Sequence, residues 1–144
     1  MAAHDQMVTI LSEDECWNLL SSVSLGRLVT VLDGRPEIFP VNFVVQRRTV
    51  LFRTAEGTKL LSLVMDSHVA FEADAHGSAA GWSVIIKGEA HPVETRAGIE
   101  EADRAHLLSW TGFVKLRYVR VHASEISGRR FRFDAPVDGD SLLP

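Results

Sequence analysis

Cysteine is almost missing from this chain of 144 residues. Cys16 is the only one, which excludes an internal disulfide and fits a reducing compartment. A surplus of base is missing as well. The formal net charge is −4, so the electrostatic footprint of a nucleic-acid binder is absent. No apolar run approaches the roughly 18 residues that cross a bilayer as a helix. The start, Met1-Ala2-Ala3-His4-Asp5-Gln6-Met7, lacks the basic-then-apolar pattern of a signal peptide. The expectation is a cytoplasmic protein with neither membrane nor nucleic acid as partner. Histidines stand scattered at 4, 68, 76, 91, 106 and 122, without metal-ligand spacing. There is no Ser-His-Asp signature and no Gly-rich dinucleotide fingerprint. Metal chemistry and acid–base catalysis thus have no residue in their favour.

What is present is an apolar fraction of 46% against 24% charged residues, enough for one domain with a real core. Ser12-Glu13-Asp14-Glu15 is a capping box that opens a short helix ending near Ser22. From Gly26 the period changes to that of a strand, and Asp33-Gly34 is a hairpin turn signal. The return strand, 37–45, contains Pro40, which predicts an edge position or a bulge. A third strand, 49–54, completes a meander. Further strands are predicted at 68–73, 82–90 (with a bulge at Gly88), 113–122 and 125–133, with a loop over 74–81. Ile99, Ala102, Ala105 and Leu108 predict a second helix over 95–110. The pattern implies an antiparallel barrel or sandwich.

One stretch points to chemistry. Residues 50–66 begin as a strand, break at Glu56-Gly57 and restart at Thr58 as an amphipathic helix. Arg53, Thr54, Thr58 and Lys59 surround the break. Two cations, two hydroxyls and a glycine at a strand-to-helix junction are the components of a phosphate site. The same residues also read as a plain N-cap at Thr58, a turn at Gly57 and two solvated cations.

Several features follow one another in a set order. They are a capped helix leading to Gly26-Arg27-Leu28; Pro40-Val41-Asn42-Phe43; Phe52-Arg53-Thr54 with Gly57-Thr58-Lys59-Leu60; residues 69–74; and Gly81-Trp82-Ser83 running on to Gly88-Glu89-Ala90. This order resembles the pyridoxamine 5′-phosphate oxidase-like, FMN-binding split-barrel superfamily, in its small single-domain branch with the nitroimidazole-resistance-type proteins. The resemblance implies a mainly β fold, an antiparallel, Greek-key-like split barrel of six to seven strands with two or three short flanking helices. It places the domain at 11–133, between an N-terminal extension (1–10) and a flexible C-terminal tail (134–144). It further implies a homodimer with FMN in a groove between protomers. By position, Arg53, Thr54, Thr58 and Lys59 would hold the flavin phosphate. Pro40, Val41, Asn42 and Phe43 would lie along the ring, and Trp82 and Ser83 would come from the partner's side. The implied activity is a flavin-dependent oxidoreductase passing hydride or electrons to a small flat acceptor, with a nicotinamide nucleotide as a candidate donor. The alternative ligands are a deazaflavin coenzyme, for which Arg47, Arg48, Arg53 and Lys59 are the cations at hand, and haem; a non-catalytic flavin sensor is the other alternative. The acidic tail departs from the oxidases proper, which speaks against vitamin B6 phosphates as substrates. Apolar residues in strands 82–90 and 113–121 exceed what one interior needs, which also predicts a partner.

Overall fold

Turn and cap residues divide the described residues into seven strands and three short helices. The structure is a computed structural model that describes residues 7–65, 67–107 and 116–133. The elements run β1 (Val8–Ile10), α1 (Glu13–Leu20), β2 (Leu25–Leu32), β3 (Arg35–Gln46), β4 (Thr49–Ala55), α2 (Lys59–Val64), β5 (Ser67–His76), β6 (Ala80–Pro92), α3 (Arg96–Asp103) and β7 (Leu116–Arg132). Neighbouring strands follow the order β1-β7-β4-β3-β2-β5-β6, and β6 pairs with β7 again. The sheet therefore closes on itself as an antiparallel barrel, which removes most exposed edges.

Local chemistry explains the boundaries. The Ser12 amide donates to Glu15 Oε1 at 2.9 Å and the Glu15 amide to Ser12 Oγ at 3.1 Å, the reciprocal capping box that starts α1. Asp33 and Gly34 both take positive φ, 52° and 76°, as a tight two-residue hairpin requires. At Gly88 the β6–β7 register slips: Lys87 pairs with Glu125 but Gly88 with Ala123, leaving Ser124 as the extra residue of a bulge.

Several boundaries differ from the sequence reading. The strands expected at 113–122 and 125–133 form one strand, β7, because the bulge at Ser124 bends it without ending it. Residues 74–76 and 80–81, expected in a loop, are paired strand, Asp74 with Ser83 and His76 with Gly81. The helix expected over 95–110 stops at Asp103, capped by Arg104, and His106 has φ 51°. Residues 8–10 add a strand against β7 that the sequence did not announce. Pro40 makes no bulge. It pairs in register with Arg27 on β2, at a stretch where β3 has no partner on its other side, so the edge half of that expectation holds. Residues 108–115, which include parts of the expected helix and strand, and the acidic tail 134–144 lie outside the described residues.

Alternation along the strands fills the barrel with Leu28, Phe43, Phe52, Phe71, Val84, Ile86 and Val121, each at most 1% exposed. Phe43 and Phe71 meet edge to face at 4.8 Å between centroids. Of the apolar residues of β6 and β7, Trp82, Val84, Ile86, Val119 and Val121 are used inside their own barrel, while Ile85 is 41% exposed. Further exposed large apolar side chains stand on β1, β2 and β3: Val8, Ile10, Leu25, Val31, Leu32 and Ile38. Outside β4 a smaller cluster, Leu51, Ala102 and Leu107, seats α3.

Candidate functional site

The barrel is split beside its own junction residues. β3 pairs with β2 along 35–42, but its pairing with β4 covers only Phe43–Gln46. From Asn42 back to Arg35 the β4-facing side of β3 is an open backbone edge, and Pro40 there would have no N–H to offer a neighbour. Across the gap lies the end of β4, then the turn at Gly57 (φ 81°) and α2.

Of the four junction residues, two meet directly. Thr54 Oγ1 and Thr58 Oγ1 are 3.0 Å apart. Thr58 Oγ1 also donates to the Ala55 carbonyl at 2.8 Å and accepts from the Leu61 amide at 3.2 Å. A hydroxyl has one proton. With that of Thr58 directed at Ala55, Thr54 is the donor between the two threonines. The N-cap reading of Thr58 is therefore correct, and both hydroxyl protons are engaged within the turn. Because α2 has only six residues, its dipole adds little. Lys59 leaves the turn toward β3, where Nζ lies 2.8 Å from Glu37 Oε1.

Arg53 lies elsewhere. Alternation on β4 turns Thr54 inward and Arg53 outward. The Arg53 guanidinium stacks over Tyr118 at 5.6 Å and donates to the Leu107 carbonyl, while its buried Nε has no partner. It helps line a cleft of about 460 Å³ with Ile99, Asp103, Arg117 and Tyr118, between α3 and β7. Tyr118 donates to Asp103 at 2.7 Å; burial first, then Asp103, raises its hydroxyl above the usual tyrosine range.

On β3, Val41 and Phe43 face the core, 7% and 1% exposed, whereas Pro40 and Asn42 face outward. Two of those four side chains are thus available to a ligand, together with the open backbone. Trp82, 8% exposed, packs into the main core. Ser83 pairs with Asp74 and Arg129. β6 lies across the ring from β3, with β2 and β5 between them on one side and β4 and β7 on the other. One protomer does not bring Trp82 and Ser83 to the split.

The structure adds groups the sequence reading missed. Arg27 on β2 reaches Glu72 at 3.0 Å and Asp74 at 3.2 Å on β5. Burial, then the adjacent Asp74, pushes the Glu72 carboxyl up to about 7 against the pull of Arg27. Glu37 is likewise new, and nothing local in sequence ties it to Lys59. A cleft of about 420 Å³ at the barrel rim is lined by Leu32, Asp33, Arg35, Glu37, Lys59 and Leu63. No group of three metal-ligating side chains exists among the described residues, and no helix there is long and apolar enough to cross a membrane.

Comparison with known proteins matches this architecture. A family model described as pyridoxamine 5′-phosphate oxidase covers residues 12–130. An uncharacterised Mycobacterium tuberculosis protein is 57% identical over 95 residues, 66% of this chain and 86% of its own. A Mycobacterium smegmatis structure, described as an FAD binding protein, is 57% identical with a TM-score of 0.81, covering 86% of this chain and 100% of its own. A Corynebacterium diphtheriae protein of unknown function is 38% identical with a TM-score of 0.77, over 88% of this chain and 99% of its own.

Proposed function

The chain belongs to the pyridoxamine 5′-phosphate oxidase family, and from that premise we propose that it is a flavin-binding split barrel acting as a homodimeric, flavin-dependent oxidoreductase. The observation that carries the reading is the split itself. An open β3 edge, at Pro40–Asn42, faces a junction that presents a lysine. A flat ring can lie along such an edge and take hydrogen bonds from free backbone groups. The 57%-identical relative described as FAD-binding supports a flavin as the occupant.

The cofactor would supply hydride or electron transfer through its own ring. The chain's residues supply binding and orientation. The Lys59 ammonium neutralises a phosphate oxygen once it exchanges Glu37 for it. Pro40 and Asn42 set the height of the ring over β3, and Ser83 of a second copy reaches it from the far side. Dimerisation fits the exposed side chains of Val31 and Ile38, on the face of β2 and β3 where Val29 pairs with Ile38 and Val31 with Pro36. Vitamin B6 phosphate oxidation is not part of the reading, and a cytoplasmic setting is.

The test is the absorbance spectrum of the purified protein, followed by titration with FMN, FAD and a deazaflavin coenzyme by fluorescence. A flavin spectrum and micromolar or tighter affinity for FMN or FAD support the reading. A Soret band would assign haem, tighter deazaflavin binding would assign that coenzyme, and no binding of any of them removes the function. Turnover is then checked by reduction with a nicotinamide nucleotide and transfer to a small quinone or nitro acceptor. Bound flavin that never reduces would make the protein a sensor.

A further inference from the structure

We propose that the rim cleft beside Lys59 takes the adenylate half of a flavin dinucleotide, so that this chain selects FAD over FMN. The proposal rests on the flavin reading and extends it to a part of the ligand that FMN lacks. At about 420 Å³ the cleft falls in the range of small-molecule pockets, about 300–1,000 Å³. Lys59 belongs to the junction and to the cleft lining alike. A pyrophosphate leaving the split at Lys59 therefore enters the cleft directly.

Each part of an adenylate finds a matching group there. Arg35 is exposed and makes no ion pair among the described residues, so its guanidinium is available to the second phosphate as a bidentate donor. Asp33 and Glu37 offer carboxylates to the ribose hydroxyls. Asp33 is held in place by the tight hairpin, with φ 52° at Asp33 and 76° at Gly34. The adenine face has Leu32 and Leu63. Leu32 is 58% exposed at a hairpin end, a position where a polar residue would be the ordinary choice. Below the rim, Thr30 pairs with Glu37 and is 1% exposed, and its hydroxyl has no partner. A cation without a counter-ion, two carboxylates and two leucines around one concavity suit a nucleotide better than a simple anion.

The experiment uses the full chain, stripped of flavin, titrated separately with FMN and FAD by flavin fluorescence. The measured quantity is the ratio of the two dissociation constants for the natural protein, Arg35→Gln and Asp33→Asn. Both substitutions suit the fold, because Arg35 is exposed and asparagine tolerates the left-handed φ of Asp33. The natural chain is expected to prefer FAD by about tenfold or more, and Arg35→Gln to erase most of that preference, as expected for one charge-assisted bond. Adenosine monophosphate should compete with FAD and leave FMN binding untouched. Equal affinity for the two flavins, or a ratio unchanged in both variants, overturns the proposal while the flavin reading stands. Failure of the natural chain to bind either flavin overturns both.

Discussion

Lys59 and Glu37 clasp each other across the split, Nζ to Oε1 at 2.8 Å, one from α2 and the other from the half of β3 that β4 does not pair with. Both are well exposed, 66% and 40%, so the pair contributes about 0–1 kcal/mol to stability. Its greater effect is on binding, because an incoming phosphate must compete with Glu37 for the ammonium. Lys59→Ala is therefore expected to weaken flavin binding by about 1.5–3 kcal/mol, and Glu37→Gln to strengthen it by roughly twofold to fivefold. Isothermal titration with FMN checks both, since FMN ends at the junction. Unchanged affinity in the two variants means that the phosphate sits elsewhere.

Arg53 should behave differently from Lys59. It holds the Leu107 carbonyl and stacks on Tyr118, on the outer side of β4. Arg53→Ala is expected to lower stability by about 1–2 kcal/mol in urea unfolding, with a smaller loss of FMN affinity than Lys59→Ala. An equal or larger loss of affinity would put Arg53 on the ligand.

The Glu72 carboxyl makes a pH prediction. An unfolded glutamate titrates near 4.5, while in the fold Glu72 is pushed up to about 7. Between those values the folded chain holds more protons than the unfolded one, so stability falls as pH rises through the window. The contribution is complete below the unfolded value and lost above the folded one. Glu72→Gln, which mimics the protonated acid, should flatten that slope. Denaturant midpoints at pH 5 and pH 8 that move equally in both proteins would contradict it.

Gly88 admits no side chain. A Cβ there would stand 1.9 Å from the His122 carbonyl oxygen, a backbone atom fixed in the β6–β7 ladder. Gly88→Ala is expected to cost roughly 3 kcal/mol, at the upper end for overpacking, and thermal unfolding reads it. A neutral result would mean that the bulge relaxes freely.

Ile38 is 64% exposed on β3, opposite Val29. If a second copy covers this face, Ile38→Lys should convert a dimer into monomer in light scattering, with near-unchanged circular dichroism. A natural chain that is already monomeric removes the dimer and with it the proposed role of Ser83.

Much of this architecture was legible because it is written in local chemistry. The capping box, the Asp33-Gly34 turn, the Thr58 cap and the Gly88 bulge each depend on a few adjacent residues. What stayed hidden depends on distant partners. Ser124 looks like a break until Lys87 and Gly88 are seen opposite it. Ala105 and Leu108 continue a helical period, yet the chain leaves the helix at Arg104 and delivers the Leu107 carbonyl to Arg53. At the site, the spacing placed Arg53 beside Lys59, whereas alternation along β4 sends Arg53 to the other face. Glu37 and Arg35 gave no signal, because their meaning comes from a cleft that exists only once β2, β3 and α2 meet.

β7 bonds to β1, β4 and β6 and is the last strand among the described residues. During synthesis, the bare edge of β4 therefore waits for residues 116–122, and that of β6 for residues 119–132, to leave the ribosome. Barrel closure is a late, long-range event, slow by topology rather than by any weak contact. A message truncated before Leu116 would release not a shortened barrel but an open sheet with two sticky margins, a substrate for chaperones and proteases.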